Sequence, residues 1–399
     1  MIPKLPRQLW LLAAIAFVNF LGFMVTPFLV LYLTSAVGLS IETAGIILTV
    51  FGLGSIFGAW AGGHASDRIG SENVLILSFL ASAATLFLIP ALGDSMSIGA
   101  AVAIMAFANG AFRPAYDACV VRLCPEDERS QAYAIYVVAI NVGAGMAAAM
   151  AGHLYARQPS LIFFIDGLTS AVAAIAVLVF LDRSVPRHAA PAVKADTSKP
   201  AGLPYRNMEF LLLCLAACVL DMVGRQTSST LPLFVTSYYG MTPEEYGNLL
   251  TLGHFVFAAA ILPVSRWAKS KNHMTVVLIG MMIVAVSFGA LPLGGSVTAL
   301  VTLYLLLTAG QLMFYPAIMA MVMGQAARSG GKSGAYMSFY RTAQAAAGIV
   351  APAIGTFIYV HFSASSLWLG CSVITALCAI LLAMRLMLRV SPDRGALEP

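Results

Sequence analysis

Apolar stretches long enough to cross a bilayer recur twelve times along this chain, with most of its basic side chains in the short gaps between them. A span needs about 20 mostly apolar residues. Such stretches lie near 8–34, 43–64, 74–92, 97–121, 130–156 and 161–181, then near 208–236, 246–265, 274–292, 298–325, 334–360 and 365–384. Only helices and closed barrels satisfy their own backbone in lipid, and these runs lack the polar alternation of barrel strands, so helices are predicted. Only 10% of the 399 residues are charged and 60% are hydrophobic, whereas soluble domains carry about 25% charged residues. A fold this apolar would expose large greasy patches to water, so lipid must solvate much of its surface.

The first run follows Lys4 and Arg7 and continues from about Leu9 to Leu33. That is longer than the roughly 7–15 apolar residues of a signal peptide, so it is expected to remain as the first helix. Basic residues test the span count, because cytoplasmic loops gather Lys and Arg. With both termini placed inside, Arg157 is the lone basic residue in an outside loop; Arg113, Arg225 and Arg341 fall within spans, and the rest of the 22 lie inside. A missed span would scramble this pattern. The net charge of +5 then belongs to loops facing anionic lipid, not to a nucleic-acid surface. The expected location is a bacterial-type inner (plasma) membrane, multi-pass, with both termini cytoplasmic.

The six cysteines lie in or beside apolar segments without Cys-x-x-Cys or metal-ligand spacing; they read as small buried hydrophobes. Residues 183–207 are rich in Pro, Ala and charge and form no apolar span. They are expected to be a flexible cytoplasmic linker between bundles at 1–182 and 208–388, with a cytoplasmic tail at 389–399.

The two halves repeat. Phe112-Arg113-Pro114-Ala115, with Ala118 and Val120, returns 202 positions later as Phe314-Tyr315-Pro316-Ala317, with Ala320 and Val322. Ser130, Ala132, Tyr133, Asn141, Gly145 and Gly152 return at an offset of 203 as Ser333, Ala335, Tyr336, Gln344, Gly348 and Gly355. Matches that include proline and tyrosine at nearly one offset argue against chance similarity between Ala/Gly-rich helices. Parallel repeats of this kind build a site near the midplane where the halves meet. The predicted fold is thus an all-α membrane protein of twelve transmembrane helices in two pseudo-symmetric six-helix bundles.

Between the second and third spans stands Gly63-His64-Ala65-Ser66-Asp67-Arg68-Ile69-Gly70. This resembles the Gly-x-x-x-Asp-Arg-x-Gly signature of the major facilitator superfamily, and the resemblance covers nearly the whole chain. It implies the major facilitator fold, alternating access, a monomer, and a conformational latch at Gly63, Asp67, Arg68 and Gly70. The family usually has basic residues where Ser71 and Glu72 stand here, and Arg266-Trp267-Ala268-Lys269 looks like a degenerate second copy without the Asp. Within the superfamily the pattern looks most like the twelve-helix drug:proton antiporters. Asn109-Gly110-Ala111-Phe112-Arg113-Pro114, with Ile140-Asn141-Val142-Gly143, is similar to the helix 4–5 region of proton-coupled oligopeptide transporters. Their Glu-x-x-Glu-Arg signature is absent from Asn19-Phe20-Leu21-Gly22-Phe23, which argues against peptide symport.

A charged residue at mid-membrane costs about 2.5–3.5 kcal/mol on insertion scales, so each one in a span needs a reason. Arg113 and Asp117 are four apart on one helical face, with Asn109 and Tyr116 adjacent; Asp221 and Arg225 repeat the spacing in reverse order. Arg341 stands beside Tyr340, with Tyr336 and Gln344 extending that face. Either these are neutralising pairs that merely let the helices insert, or they work. On the working reading Asp221 leads proton coupling, with Asp117 as second candidate. Burial favours a neutral acid and a neighbouring guanidinium an ionised one, so changing solvent access moves a proton. Asn19, Asn109, Arg113, Tyr116, Asn141, Arg225, Tyr336, Tyr340, Arg341 and Gln344 are the expected substrate-cavity residues. Asp166 reads as an interfacial cap or gate, His254 as a helix-packing residue, and Pro27, Pro114, Pro232, Pro263, Pro316 and Pro352 as breaks in the spans.

The expected function is proton-coupled efflux of amphipathic or drug-like molecules by antiport; the alternative is proton-coupled transport of a polar metabolite, peptide or organic anion. The expected partners are a small-molecule substrate, protons and membrane lipids, with no cofactor beyond the proton gradient and no metal. An enzyme is disfavoured because the sequence has no nucleophile elbow or metal constellation, and ATP-driven transport because it has no phosphate-binding loop.

Overall fold

The computed structural model describes residues 6–124, 128–181, 204–328 and 333–390. The expected linker 183–207 lies outside these except for its last residues, as does the tail except for its first two. The helices are α1 Arg7–Leu21, α2 Val25–Leu31, α3 Ile41–Ile69, α4 Ser71–Leu88, α5 Ser95–Leu123, α6 Arg129–Arg157 and α7 Leu161–Phe180. There follow α8 Met208–Gly224, α9 Gln226–Ser229, α10 Leu231–Tyr238, α11 Pro243–Lys269, α12 His273–Ala290, α13 Val297–Ala327, α14 Ser333–His361 and α15 Ala364–Val390. No strand occurs among the described residues.

Helix starts repeat as the sequence motifs do. Ile41 and Pro243, Ser71 and His273, and Ser95 and Val297 are each 202 positions apart, and Leu161 and Ala364 are 203 apart. The repeat extends to the caps that satisfy the first orphan amides of a helix. Asp94 accepts from Ser97 N at 2.9 Å before α5, and Ser296 accepts from Ala299 N at 3.2 Å before α13.

Among the described residues, eleven helical stretches are long and apolar enough to cross a membrane. The twelfth expected span, 208–236, is instead the succession α8, α9 and α10. Its interruption falls in Arg225-Gln226-Thr227-Ser228-Ser229-Thr230, a polar run whose side chains compete for the backbone. There Ser229 and Thr230 hydroxyls donate to Gln226 Oε1 at 3.1 and 2.9 Å. The first span is interrupted too: α1 ends at Leu21, and Gly22 and Phe23 close tight turns onto Asn19 O and Phe20 O before α2 starts at Val25. Prolines mark these breaks less well than expected. Pro114, Pro263, Pro316 and Pro352 all lie inside continuous helices, where neighbouring groups can serve the carbonyls they free.

By packing, the chain divides into two compact units. One comprises Met1–Ala192 with Gln226–Ala259 and Pro352–Val360; the other comprises Val193–Arg225, Ala260–Ala351 and His361–Pro399. In the first unit α3 lies against α5 along Gly54, Gly58 and Gly62. A Cβ at Gly54 would stand 2.6 Å from Ala103 O, one at Gly62 2.6 Å from Ala111 Cα, and one at Gly58 would collide with Phe107 O. Backbones this close gain dispersion along the whole seam, the usual way helices associate in lipid. The first unit also includes Tyr246 of α11, whose hydroxyl donates to Pro27 O at 3.4 Å, and Thr251, which donates to Gly145 O at 2.8 Å.

Outward-facing apolar residues recur at helical spacing, as on α7 at Leu168, Val172, Ile175 and Val179, all exposed. Such a stripe suits lipid tails, not water. None of the six cysteines forms a disulfide.

Candidate functional site

In the second unit a carboxylate is held by residues from three helices. Asp221, in the last turn of α8, accepts a hydrogen bond from Tyr315 Oη at 2.8 Å. Tyr315 is on α13 beside Pro316, the position that Arg113 occupies in the first half. From α14, Gln344 also bonds to Asp221, and the guanidiniums of Arg225 and Arg341 act on it electrostatically. Tyr340, buried, belongs to the same charge cluster. Arg225 and Arg341 are themselves exposed. A Cβ at Gly348 would lie 3.3 Å from Arg225 Nη2, so the glycine makes room for that guanidinium. Tyr336 sits elsewhere: its hydroxyl accepts from Asn207 at 3.5 Å and its ring meets Phe210 at 4.5 Å.

The first unit carries the expected α5 pair. Arg113 Nε and Asp117 Oδ1 are 3.4 Å apart, with side chains 54% and 39% exposed, so the pair is open to whatever fills the space beside it. Arg113 stands over the Tyr136 ring at 5.1 Å, a cation–π contact, and Tyr133 bonds to Asp117. Tyr116 is 2% exposed and packs within the core against the tilted ring of Tyr136, centroids 4.3 Å apart. Asn141 donates to Val137 O at 2.8 Å, and its Oδ1 is 3.4 Å from His254 Nδ1.

Asn19 and Asn109 share a different space. With Ser78 and Asp166 they line a cavity of about 90 Å³ walled by phenylalanine rings. Ser82 donates to Asn109 Oδ1 at 3.0 Å. Asp166 Oδ2 accepts from Val25 N at 3.3 Å, the first amide of α2 after the break in the first span.

At the signature loop, Gly70 joins α3 to α4 at φ +91°, a conformation favouring glycine. Asp67 and Arg68 are exposed on the last turn of α3. Gly63 has open surroundings, a Cβ there lying 4.0 Å from Pro114 Cβ; close helix approach belongs to its neighbour Gly62. Glu72, where the family pattern has a basic residue, forms a buried ion pair with Arg122 of α5. Ser71 Oγ and Cys119 Sγ also donate to Glu72, at 3.4 and 3.6 Å. Tyr315, Glu72 and Arg122 were absent from the sequence-derived site. For Tyr315 the repeat offers a signal, since position 113 in the other half also gives a carboxylate its donor.

Helices long and apolar enough to cross a membrane, several of them carrying acids and guanidiniums, define a class: the polytopic membrane proteins. The chain belongs to the Major Facilitator Superfamily, whose sequence profile matches residues 11–222 and 211–399. Among its relatives, the uncharacterized MFS-type transporter YttB of Bacillus subtilis (strain 168) is 24% identical over 92% of each chain. The multidrug resistance protein MdtH of Edwardsiella ictaluri (strain 93-146) is 22% identical over 75% of this chain and 73% of its own. Among solved structures, a POT family transporter in complex with 5-aminolevulinic acid superposes with a TM-score of 0.80 at 15% identity, covering 95% of this chain and 96% of that one. The human organic anion transporter MFSD10 gives 0.66 at 17% identity, covering 94% and 100%. These likenesses establish the major facilitator fold, and the chain is a transporter rather than an enzyme.

Proposed function

We propose that this chain is a proton-coupled antiporter that exports amphipathic small molecules across a bacterial-type inner membrane by alternating access, with both termini cytoplasmic. One observation carries the reading: the Asp221 carboxylate is bonded by Tyr315 at 2.8 Å and by Gln344, with Arg225 and Arg341 acting on it. Those bonds favour the ionised acid and burial favours the neutral one. Breaking or remaking them as the protein changes state would therefore release or capture a proton. Asp117, bonded by Arg113 and Tyr133, is the second candidate for that role. Asp67, Arg68 and Gly70 remain the proposed latch, with Gly63 as part of its signature. Export of drug-like compounds has support from the name of the MdtH relative.

Arg113, Arg225 and Arg341, all exposed, favour a second substrate class: solutes that bring a carboxylate or phosphonate. The named ligands and substrates of the structural neighbours, 5-aminolevulinic acid and organic anions, fit it. The experiment is proton flux in proteoliposomes against cationic drugs, peptides and organic anions. Solute addition should move protons in the native protein but not in Asp221→Asn, with the variant still folded. Normal coupled flux in Asp221→Asn refutes the assignment, and the responding compounds choose between the substrate classes.

A further inference from the structure

The break in the first span is capped by an acid, whereas neutral polar side chains gather at the break in the second half. At the α8–α10 interruption Gln226 Oε1 takes the hydroxyls of Ser229 and Thr230. At the α1–α2 interruption Asp166 of α7 takes Val25 N. The repeat offset between α7 and α15 pairs Gly167 with Gly370 and Asp166 with Leu369, an exposed apolar residue. The acid is thus peculiar to the first half.

Its surroundings lack a counter-charge. Val25 N donates to it at 3.3 Å, and among the described residues lining the cavity beside it no other side chain is charged. The cavity beside it instead presents Asn19, Ser78 and Asn109. Asn19 makes no side-chain hydrogen bond to the protein among the described residues, so its amide is left to the cavity. About 90 Å³ holds several waters or a small ion. Gly22 brings the break against α7, since a Cβ there would collide with the Thr169 hydroxyl and stand 3.1 Å from Asp166 Cα. One negative charge, neutral oxygens and no base make a setting that one positive charge completes.

The geometry points to this cavity as a binding site for one monovalent cation, a proton or a small alkali-metal ion, held by Asp166 with help from Asn19, Ser78 and Asn109. A divalent metal does not fit, because hard divalent ions need several carboxylate or carbonyl ligands and no cluster of three acidic, His or Cys ligands occurs among the described residues. The same carboxylate caps Val25, so cation binding competes with the cap and loosens the break. Occupancy of the site is thereby linked to the shape of the first span. The site stands apart from Asp221 and does not depend on its role.

The test uses the full-length protein purified in detergent, at fixed ionic strength made up with choline. Unfolding temperature is followed while Na⁺, Li⁺ or K⁺ replaces choline, and proton binding is measured by titration in choline alone. A saturable alkali-ion response lost in Asp166→Asn identifies a metal ion as occupant; no such response, with the proton that Asp166→Asn lacks bound less tightly in Asn19→Ala than in the native protein, identifies a proton. Asp221→Asn should keep the response. Asn19→Ala, which leaves the cap intact, should raise the half-saturating cation concentration, or lower proton affinity, by about tenfold for one lost ligand bond. If Asp166→Asn fails to fold, Asn19→Ala alone decides. Native-like ion response in both variants, with the Asp166 proton bound as tightly in Asn19→Ala as in the native protein, overturns the proposal.

Discussion

Removing one partner of the Glu72–Arg122 pair should be far more damaging than removing both. The two side chains are only 9% and 10% exposed, so Glu72→Gln leaves the Arg122 guanidinium buried beside a neutral amide. Breaking a buried pair from one side typically costs about 3–5 kcal/mol. The Ser71 and Cys119 bonds to Glu72 add little, because the amide can still accept both. Replacing the pair together, as Glu72→Leu with Arg122→Met, removes both charges and fills similar volume, a change that is often neutral. A cycle of Glu72→Leu, Arg122→Met and the double variant, with each single near that cost and the double near neutral, should therefore give a coupling energy of about 6 kcal/mol or more. Reversible unfolding in mixed micelles reads it. If Glu72→Gln lies within about 0.5 kcal/mol of the native protein, or the double variant is as unstable as the summed singles, the pair is not the buried electrostatic unit described.

Gly58→Leu should prevent stable folding, because its Cβ meets the Phe107 carbonyl and overpacking against backbone costs about 1–3 kcal/mol or more; Gly63→Ala, with ordinary contact only, should express and melt like the native protein. Tyr315→Phe removes one hydroxyl from Asp221 and should uncouple proton flux from solute movement while leaving solute binding by isothermal calorimetry nearly unchanged; native-like coupling would remove Tyr315 from the site. Asp94, outside the spans, has its carboxyl held below the usual range by the Ser97 hydroxyl and amide. Its cap should be fully present above the unfolded value of about 3.9 and fade as pH falls through the lower native value. Hydrogen exchange at the α5 amino terminus should quicken in that acid range, and the same acid response in Asp94→Ala would exclude the cap as its cause.

Features with a strong local signature could be read directly from the chain. Apolar length set the spans, and the four-residue spacing of Arg113 and Asp117 returns as an ion pair at 3.4 Å. Long-range partners left no such trace. Glu72 and Arg122 are 50 positions apart, and Tyr315 meets Asp221 only because α13 and α8 pack together. Proline was a poor guide to interruption: lipid-buried helices absorb it, whereas Gly22-Phe23-Met24 and the polar run after Arg225 gave way. Tyr116 illustrates the converse, since adjacency to a charged face did not bring it out of the core.

The glycine seam between α3 and α5 has a mechanical consequence. Two rods touching backbone to backbone, with no long side chains to re-pack between them, cannot slide without losing contact along their whole length. They must travel as one stiff beam. We expect bending during a transport cycle to fall at the segments already interrupted, Leu21 to Val25 and Arg225 to Leu231, rather than within the proline-bearing helices.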